Sequence, residues 1–174
     1  MARSNLTVKP IAGALGAEIH GIDLSKPLDD AIFAQIHQVL LDYWVIFFRD
    51  QNITPDQQLD FAKRWGDIHL HPYITGLPGA PEILEIVKDK DDLHTLGGYW
   101  HTDQMFTPTP VMATMLYARQ VPPQGGDTLF TNAYMAYESL SCGMKDMLAG
   151  LRTVNIYEMK KQRALAMQVN AINQ

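Results

Sequence analysis

The sequence predicts an α+β fold, a β-sandwich or half-barrel flanked by helices. Short runs rich in β-branched and aromatic residues fill most of the middle of the chain, whereas helical periodicity and helix-capping signals lie towards both ends. The 174 residues, with 47% hydrophobic and 19% charged side chains, suit one globular domain. We therefore treat residues 1–174 as a single domain.

The first part of the chain alternates strands with helices. Residues 6–11 and 17–24 are short extended stretches separated by glycines. Apolar residues recur at helical spacing over residues 32–43, which predicts a helix. The acidic pair Asp29-Asp30 marks its start, where the helix dipole favours negative charge. The continuous aromatic and β-branched run at residues 44–48 then predicts a buried strand.

Three further helices are predicted from their capping residues. Thr54 is followed by Pro55 and Gln57, which together form a capping box with proline at the first helical position. Asn132 and Ser141 are N-cap candidates for two later helices. Additional strands are expected at residues 82–87, 99–105, 111–118, 128–131 and 151–157, and a weak helix at residues 158–174.

Composition excludes several functional classes. The net charge of −5 and the pI of about 5.6 do not favour a polyanion, so we expect no nucleic-acid partner. The single cysteine, Cys142, cannot form an internal disulfide. No apolar run approaches the ~18 residues of a membrane helix, and the N-terminus has no apolar signal core. We therefore expect a cytoplasmic protein without a membrane partner.

His101 and Asp103 are the candidate metal ligands. The sequence has no glycine-rich phosphate loop, cysteine cluster or His-Glu-x-x-His motif. On a strand, residues i and i+2 face the same side, so this imidazole and this carboxylate could reach one metal ion. They would supply two thirds of the 2-His-1-carboxylate triad that binds non-haem Fe(II). The alternative is a strand histidine that simply pairs with an aspartate.

The surrounding motifs resemble a known enzyme family. Residues 100–103 read Trp-His-Thr-Asp, and residues 125–128 read Gly-Gly-Asp-Thr. Upstream, residues 45–51 read Val-Ile-Phe-Phe-Arg-Asp-Gln and residues 65–72 read Trp-Gly-Asp-Ile-His-Leu-His-Pro. In this order and spacing, the string resembles the taurine / 2,4-dichlorophenoxyacetate dioxygenase family, whose enzymes depend on Fe(II) and 2-oxoglutarate.

The resemblance implies a fold and a set of site residues. It implies a double-stranded β-helix (jelly-roll) core, of which this chain would be the N-terminal part. His101 and Asp103 match the first two iron ligands, and Thr128 matches the residue that binds a carboxylate of 2-oxoglutarate. His71 matches a position that contacts the substrate in some members, and Tyr73 lies near a substrate tyrosine of some members.

The resemblance also implies a reaction. Fe(II) and the co-substrate 2-oxoglutarate would use O₂ to hydroxylate a C–H of a small anionic organic substrate, of the sulfonate or aryloxyalkanoate type. 2-Oxoglutarate would be decarboxylated to succinate. Taurine-specific members carry a substrate amide before the Trp-His-Thr-Asp motif, where this chain has Gly97 and Gly98.

The pattern breaks after Asp103. The family's third ligand is a downstream histidine, followed by an arginine that pairs with 2-oxoglutarate, but no histidine follows His101 here. Three explanations fit this break. The chain is a C-terminally truncated member of the family, or the missing ligands come from a partner chain in an oligomer such as a homo-oligomer, or the chain is a degenerate member that no longer catalyses the reaction.

Two other hypotheses remain open. The chain would be a truncated non-catalytic remnant that acts as a binding or oligomerising protein through an exposed strand edge. Alternatively, it would be a divalent-metal hydrolase that uses His101, Asp103 and His71, which requires zinc and no O₂.

Overall fold

A small sheet opens the chain in the computed structural model, which describes residues 6–71, 74–89, 91 and 97–156. Strand β1 (Thr7–Pro10) pairs antiparallel with β2 (Ala17–His20), which pairs in parallel with β3 (Ile46–Phe47). The strand order is β1-β2-β3. Parallel neighbours need a crossover connection, and helix α1 (Asp30–Tyr43) provides it between β2 and β3.

Capping residues set both ends of α1. The helix begins at the acidic pair, as predicted, and the Asp29 carboxylate accepts a hydrogen bond from the Ile32 N–H at 2.7 Å. At the other end, Trp44 adopts a left-handed conformation with φ +61°, and its N–H donates to the Leu40 carbonyl oxygen at 2.7 Å. This turn of the backbone shortens the strand predicted at residues 44–48 to β3 alone.

The other three helices begin at the predicted caps. Helix α2 (Pro55–Lys63) has the complete capping box: Gln57 N–H donates to Thr54 Oγ1, and Thr54 N–H donates to Gln57 Oε1. Asn132 caps α3 (Ala133–Glu138), and Ser141 caps α4 (Cys142–Ala149). The apolar face predicted on α4 is exposed to solvent, with Met147 more than half accessible.

The hydrophobic core is built from β2, α1, α2 and the turns between them. Its buried members are Ala17, Ile19, Ile22, Leu24, Ile36, Val39, Ile53 and Phe61. Aromatic rings extend it: Phe33 lies 4.9 Å from Trp65 and 6.3 Å from Phe61, edge to face in both pairs. Among the described residues 97–156, Asn132 alone is buried.

Long-range hydrogen bonds of Tyr117 and Asn132 attach the later segments to this core. The Tyr117 hydroxyl donates to the Gln51 carbonyl oxygen at 3.0 Å. The Asn132 side-chain amide donates to the Ala14 carbonyl oxygen at 2.7 Å, while its Oδ1 caps α3. Met115 and Tyr117 also pack against the core. Residues 111–118 are therefore held beside the N-terminal core by alternate side chains.

The later strand predictions are wrong in the described part of the chain. A strand requires a neighbouring strand to pair its N–H and C=O groups, and the described strands all lie before residue 48. Without such a neighbour, the predicted segments adopt coil and turn conformations at residues 82–87, 99–105, 111–118, 128–131 and 151–156. The helix predicted at residues 158–174, like Tyr157, lies outside the described residues.

The fold class is α+β, as predicted. The described residues contain no helix that is long and apolar enough to cross a membrane.

Candidate metal centre

The two predicted ligands lie in an exposed turn instead of on a strand. Gln104 has a left-handed backbone with φ +57°, and its carbonyl oxygen accepts hydrogen bonds from the N–H and the hydroxyl of Thr107. This turn directly follows Asp103. The strand predicted at residues 99–105 is therefore absent, yet the two side chains still converge.

The imidazole of His101 and the carboxylate of Asp103 are in direct contact. His101 Nε2 lies 3.1 Å from Asp103 Oδ1. The exposed fractions of the two side chains are 42% and 46%, so a solute can reach both. The Thr114 hydroxyl donates to the second carboxylate oxygen, Asp103 Oδ2, at 2.7 Å.

The backbone determines which nitrogen of His101 faces the carboxylate. His101 Nδ1 lies 2.8 Å from the Tyr99 carbonyl oxygen. A carbonyl oxygen only accepts hydrogen bonds, so Nδ1 carries a hydrogen and donates it. In the neutral ring, Nε2 then presents a lone pair towards Asp103 Oδ1. Two lone pairs at 3.1 Å require a proton or a metal cation between them.

The two atoms fit adjacent positions around one metal ion. Metal–nitrogen and metal–oxygen bonds of about 2.1 Å at right angles separate two ligand atoms by about 3 Å. The observed separation is 3.1 Å. Metal-binding histidines also commonly donate their other ring N–H to a backbone carbonyl, as His101 does. An imidazole with a carboxylate suits Fe(II).

A third protein ligand is not found in the described part of the chain. There, no group of three or more histidine, cysteine, aspartate or glutamate side chains is arranged to hold a metal. His71 therefore does not complete the pair, and the hydrolase hypothesis that needs His101, Asp103 and His71 together gains no support. Tyr73 lies outside the described residues.

His71 is a partly buried imidazole in the loop after α2. Its Nδ1 accepts a hydrogen bond from the Ile74 N–H at 3.1 Å, so in the neutral ring the hydrogen lies on Nε2. Burial lowers the pKa of His71, and the nearby charge of His69 lowers this pKa further. The lowered pKa favours the neutral form of His71.

Thr128 lies on an exposed segment that follows a tight turn. Gly125 and Gly126 have φ of +75° and +73°, a conformation that glycine adopts at little cost. The structure thus has the predicted turn before Thr128 but no strand after it. No described hydrogen bond joins the Thr128 hydroxyl to the His101–Asp103 pair, so its role stays a prediction.

A cleft of about 310 Å³ separates two of the predicted site segments. One wall is formed by residues 65–69, which precede His71, and the other by residues 109–112, which follow Asp103. The loop that carries His71 and the segment that follows the candidate metal ligands therefore approach the same cleft.

Three contacts of the His101–Asp103 pair were not predicted from the sequence. Tyr99 acts through its backbone carbonyl, which has no signature in the sequence. Thr114 is eleven residues from Asp103, and its contact depends on how the intervening chain turns back. Gly97 packs against the imidazole: a Cβ there would lie 3.2 Å from His101 Cε1. The Gly97-Gly98 dipeptide is the signal that could have indicated this close approach.

We expect Gly97→Ala to weaken metal binding by about tenfold, because the new methyl group would push the His101 ring out of position. Gly97 also has φ +71°, so alanine strains the backbone. Gly79→Ala is the matched control, since Gly79 has φ +83° and open space around it. Titration of both variants with Mn(II) measures the effect, and equal affinities would contradict the steric argument.

Comparison with known proteins identifies related sequences over nearly the whole chain. Residues 7–171 match the family described as "Taurine catabolism dioxygenase TauD, TfdA family". An α-ketoglutarate-dependent sulfate ester dioxygenase of Pseudomonas putida is 34% identical over 154 residues, which are 88% of this chain and 50% of that protein. An (S)-phenoxypropionate/α-ketoglutarate dioxygenase of Sphingobium herbicidovorans is 29% identical, over 79% of this chain and 49% of that protein.

Solved structures agree with the sequence comparison. The crystal structure of a taurine dioxygenase from Burkholderia xenovorans superposes with a TM-score of 0.73 at 35% identity, covering 88% of this chain and 54% of that one. The chain thus spans about half the length of the relatives it matches. Because the family match covers 165 of the 174 positions, residues 7 to 171, the chain belongs to the taurine catabolism dioxygenase TauD, TfdA family.

Proposed function

We propose that this chain is the N-terminal part of an Fe(II)- and 2-oxoglutarate-dependent dioxygenase domain with a jelly-roll core. The observation that carries the proposal is the 3.1 Å approach of His101 Nε2 to Asp103 Oδ1, in a member of this family. The relatives described above are named as α-ketoglutarate-dependent dioxygenases, which supports the same co-substrate here.

Each site residue has a part that its chemistry supports. His101 and Asp103 would hold Fe(II) as two members of a facial triad, whose third protein ligand is not found among the described residues. The Tyr99 carbonyl oxygen keeps the imidazole in the tautomer that binds metal. The Thr128 hydroxyl would donate to a carboxylate of 2-oxoglutarate. When bound, Fe(II) and 2-oxoglutarate supply the oxidation of a substrate C–H by O₂, which yields the hydroxylated product, succinate and CO₂.

The substrate we propose is a small organic anion, a sulfonate, sulfate ester or aryloxyalkanoate. The named activities of the relatives support this class. His71, which the family resemblance places at a substrate-contacting position, is proposed to contact this anion. Tyr73, two residues further along, is proposed to contact the same substrate.

An anaerobic absorption titration with Fe(II) and 2-oxoglutarate tests the proposal. We expect a visible metal-to-ligand charge-transfer band that saturates at one iron per chain, because 2-oxoglutarate would chelate an iron ion that the protein holds at a single site. Absence of the band at saturating concentrations of both would overturn the proposal. Tight binding of zinc without any 2-oxoglutarate-dependent band would favour the hydrolase instead.

The exposed apolar side chains support a second candidate, a non-catalytic protein that binds other chains or itself. Leu129 is 72% exposed and Val154 is 87% exposed, and many other large apolar residues between them are accessible. This candidate predicts concentration-dependent self-association and weak iron binding without fixed stoichiometry. Light scattering over a range of concentrations, measured beside the iron titration, separates the two candidates.

A further inference from the structure

The two oxygens of the Asp103 carboxylate have different partners, because Thr114 forms a hydrogen bond with one of them. Its hydroxyl donates to Oδ2 at 2.7 Å, whereas Oδ1 is the atom 3.1 Å from His101 Nε2. We propose that Thr114 is a positioning residue that makes Asp103 a one-oxygen metal ligand. This inference rests on the proposed function, because it concerns the same metal centre.

The number of oxygens that Asp103 offers determines how many metal positions stay open. A carboxylate binds a metal through one oxygen or through both. A facial triad with three open positions requires a single oxygen from its carboxylate. A hydroxyl hydrogen directed at Oδ2 stabilises charge on that oxygen and leaves Oδ1 for the metal.

The backbone around Thr114 is anchored well enough to place its hydroxyl. Met115 and Tyr117 pack against the hydrophobic core, and the Tyr117 hydroxyl donates to the Gln51 carbonyl oxygen at 3.0 Å. Thr114, next to Met115 in the chain, is itself exposed, and its hydroxyl reaches the Asp103 carboxylate. The branched Cβ of threonine further restricts its χ1 rotamer.

The chain reversal between the two residues explains how they meet. Gln104 has φ +57°, and its carbonyl oxygen accepts two hydrogen bonds from Thr107, which closes the turn after Asp103. Residues 108–110, Pro-Thr-Pro, follow this turn and cannot continue a regular hydrogen-bonded element. The segment that returns from them carries Thr114 to the carboxylate.

The test compares Thr114→Val, which keeps the side-chain shape and removes the hydroxyl, with Thr114→Ser, which restores the hydroxyl. We expect Thr114→Val to lower the affinity of the full chain for Mn(II), a redox-stable probe, by about tenfold to a hundredfold. Thr114→Ser should recover most of this loss. Thr153→Val, at an exposed threonine in the described segment 151–156, is the matched control and should bind Mn(II) like the unaltered chain.

Four outcomes decide between positioning and mere stabilisation of the turn. Weaker binding in Thr114→Val, rescue by serine and an unchanged melting temperature without metal support the inference. Equal Mn(II) affinity in Thr114→Val and the unaltered chain overturns it while the proposed function stands, provided that His101→Ala loses binding. A loss that serine does not rescue and that follows the melting temperature also overturns it. If the unaltered chain does not bind one Mn(II) ion per chain, the proposed function is overturned together with this inference.

Discussion

His101→Ala should abolish the binding of one Fe(II) or Mn(II) per chain. The imidazole supplies the only nitrogen of the described pair, and its Nε2 lies 3.1 Å from Asp103 Oδ1. Loss of a residue that merely orients a ligand typically costs tenfold to a hundredfold in affinity, so loss of the ligand itself should cost more than about a hundredfold. Mn(II) titration followed by electron paramagnetic resonance of the free ion measures this loss.

A matched control separates the ligand from a general effect of histidine removal. His37 lies on α1 and stacks on Trp65 with ring centroids 5.6 Å apart, within the N-terminal core region. We expect His37→Ala to bind metal like the unaltered chain. The double variant His101→Ala with Asp103→Ala should bind no more weakly than the single one, because both residues serve one site. Unchanged affinity in His101→Ala would refute the metal centre and leave a histidine–aspartate ion pair.

The helices could be predicted from sequence because their signals are local. A cap needs only a side chain that reaches the N–H three residues ahead, as at Asp29, Thr54, Asn132 and Ser141. The capping box at Thr54 includes two such bonds within four residues. The caps at Thr54, Asn132 and Ser141 form as the sequence predicted, and Asp29 caps the helix that the acidic pair was predicted to open.

The strands beyond residue 80 could not be predicted in the same way. A β-rich composition describes a segment that fits a pleated surface, but the ladder itself requires a partner strand. The segments at residues 82–87, 99–105 and 111–118 have no such partner among the described residues, so they stay irregular. The composition of these segments indicated their β preference but contained no information about a neighbour.

The candidate site shows the same division between local and distant information. The His-x-Asp spacing correctly predicted that His101 and Asp103 would converge, although a turn at Gln104 follows them where a strand was predicted. The Thr114 contact crosses a chain reversal, and the Tyr99 contact uses only backbone. Both depend on conformation more than on residue type, so the sequence alone does not reveal them.

Ile36→Ala should strongly destabilise the N-terminal core. Ile36 is completely buried on α1, the helix that packs against β2 and β3. Truncation of a buried isoleucine to alanine removes its apolar contacts and leaves a cavity, which costs about 2–5 kcal/mol. A small domain has only about 5–15 kcal/mol of total stability, so this one change would remove a large share.

Leu41→Ala on the same helix separates burial from helix propensity. Leu41 is 55% exposed, and alanine is at least as good a helix former as leucine, so this control should change stability by no more than about 0.5 kcal/mol. Urea unfolding followed by circular dichroism compares the two variants, with unchanged m-values as the sign that only stability differs. Similar midpoints for both variants would mean that α1 does not dock on the sheet through Ile36. A lower midpoint for Ile36→Ala alone would establish that the N-terminal core folds around this side chain.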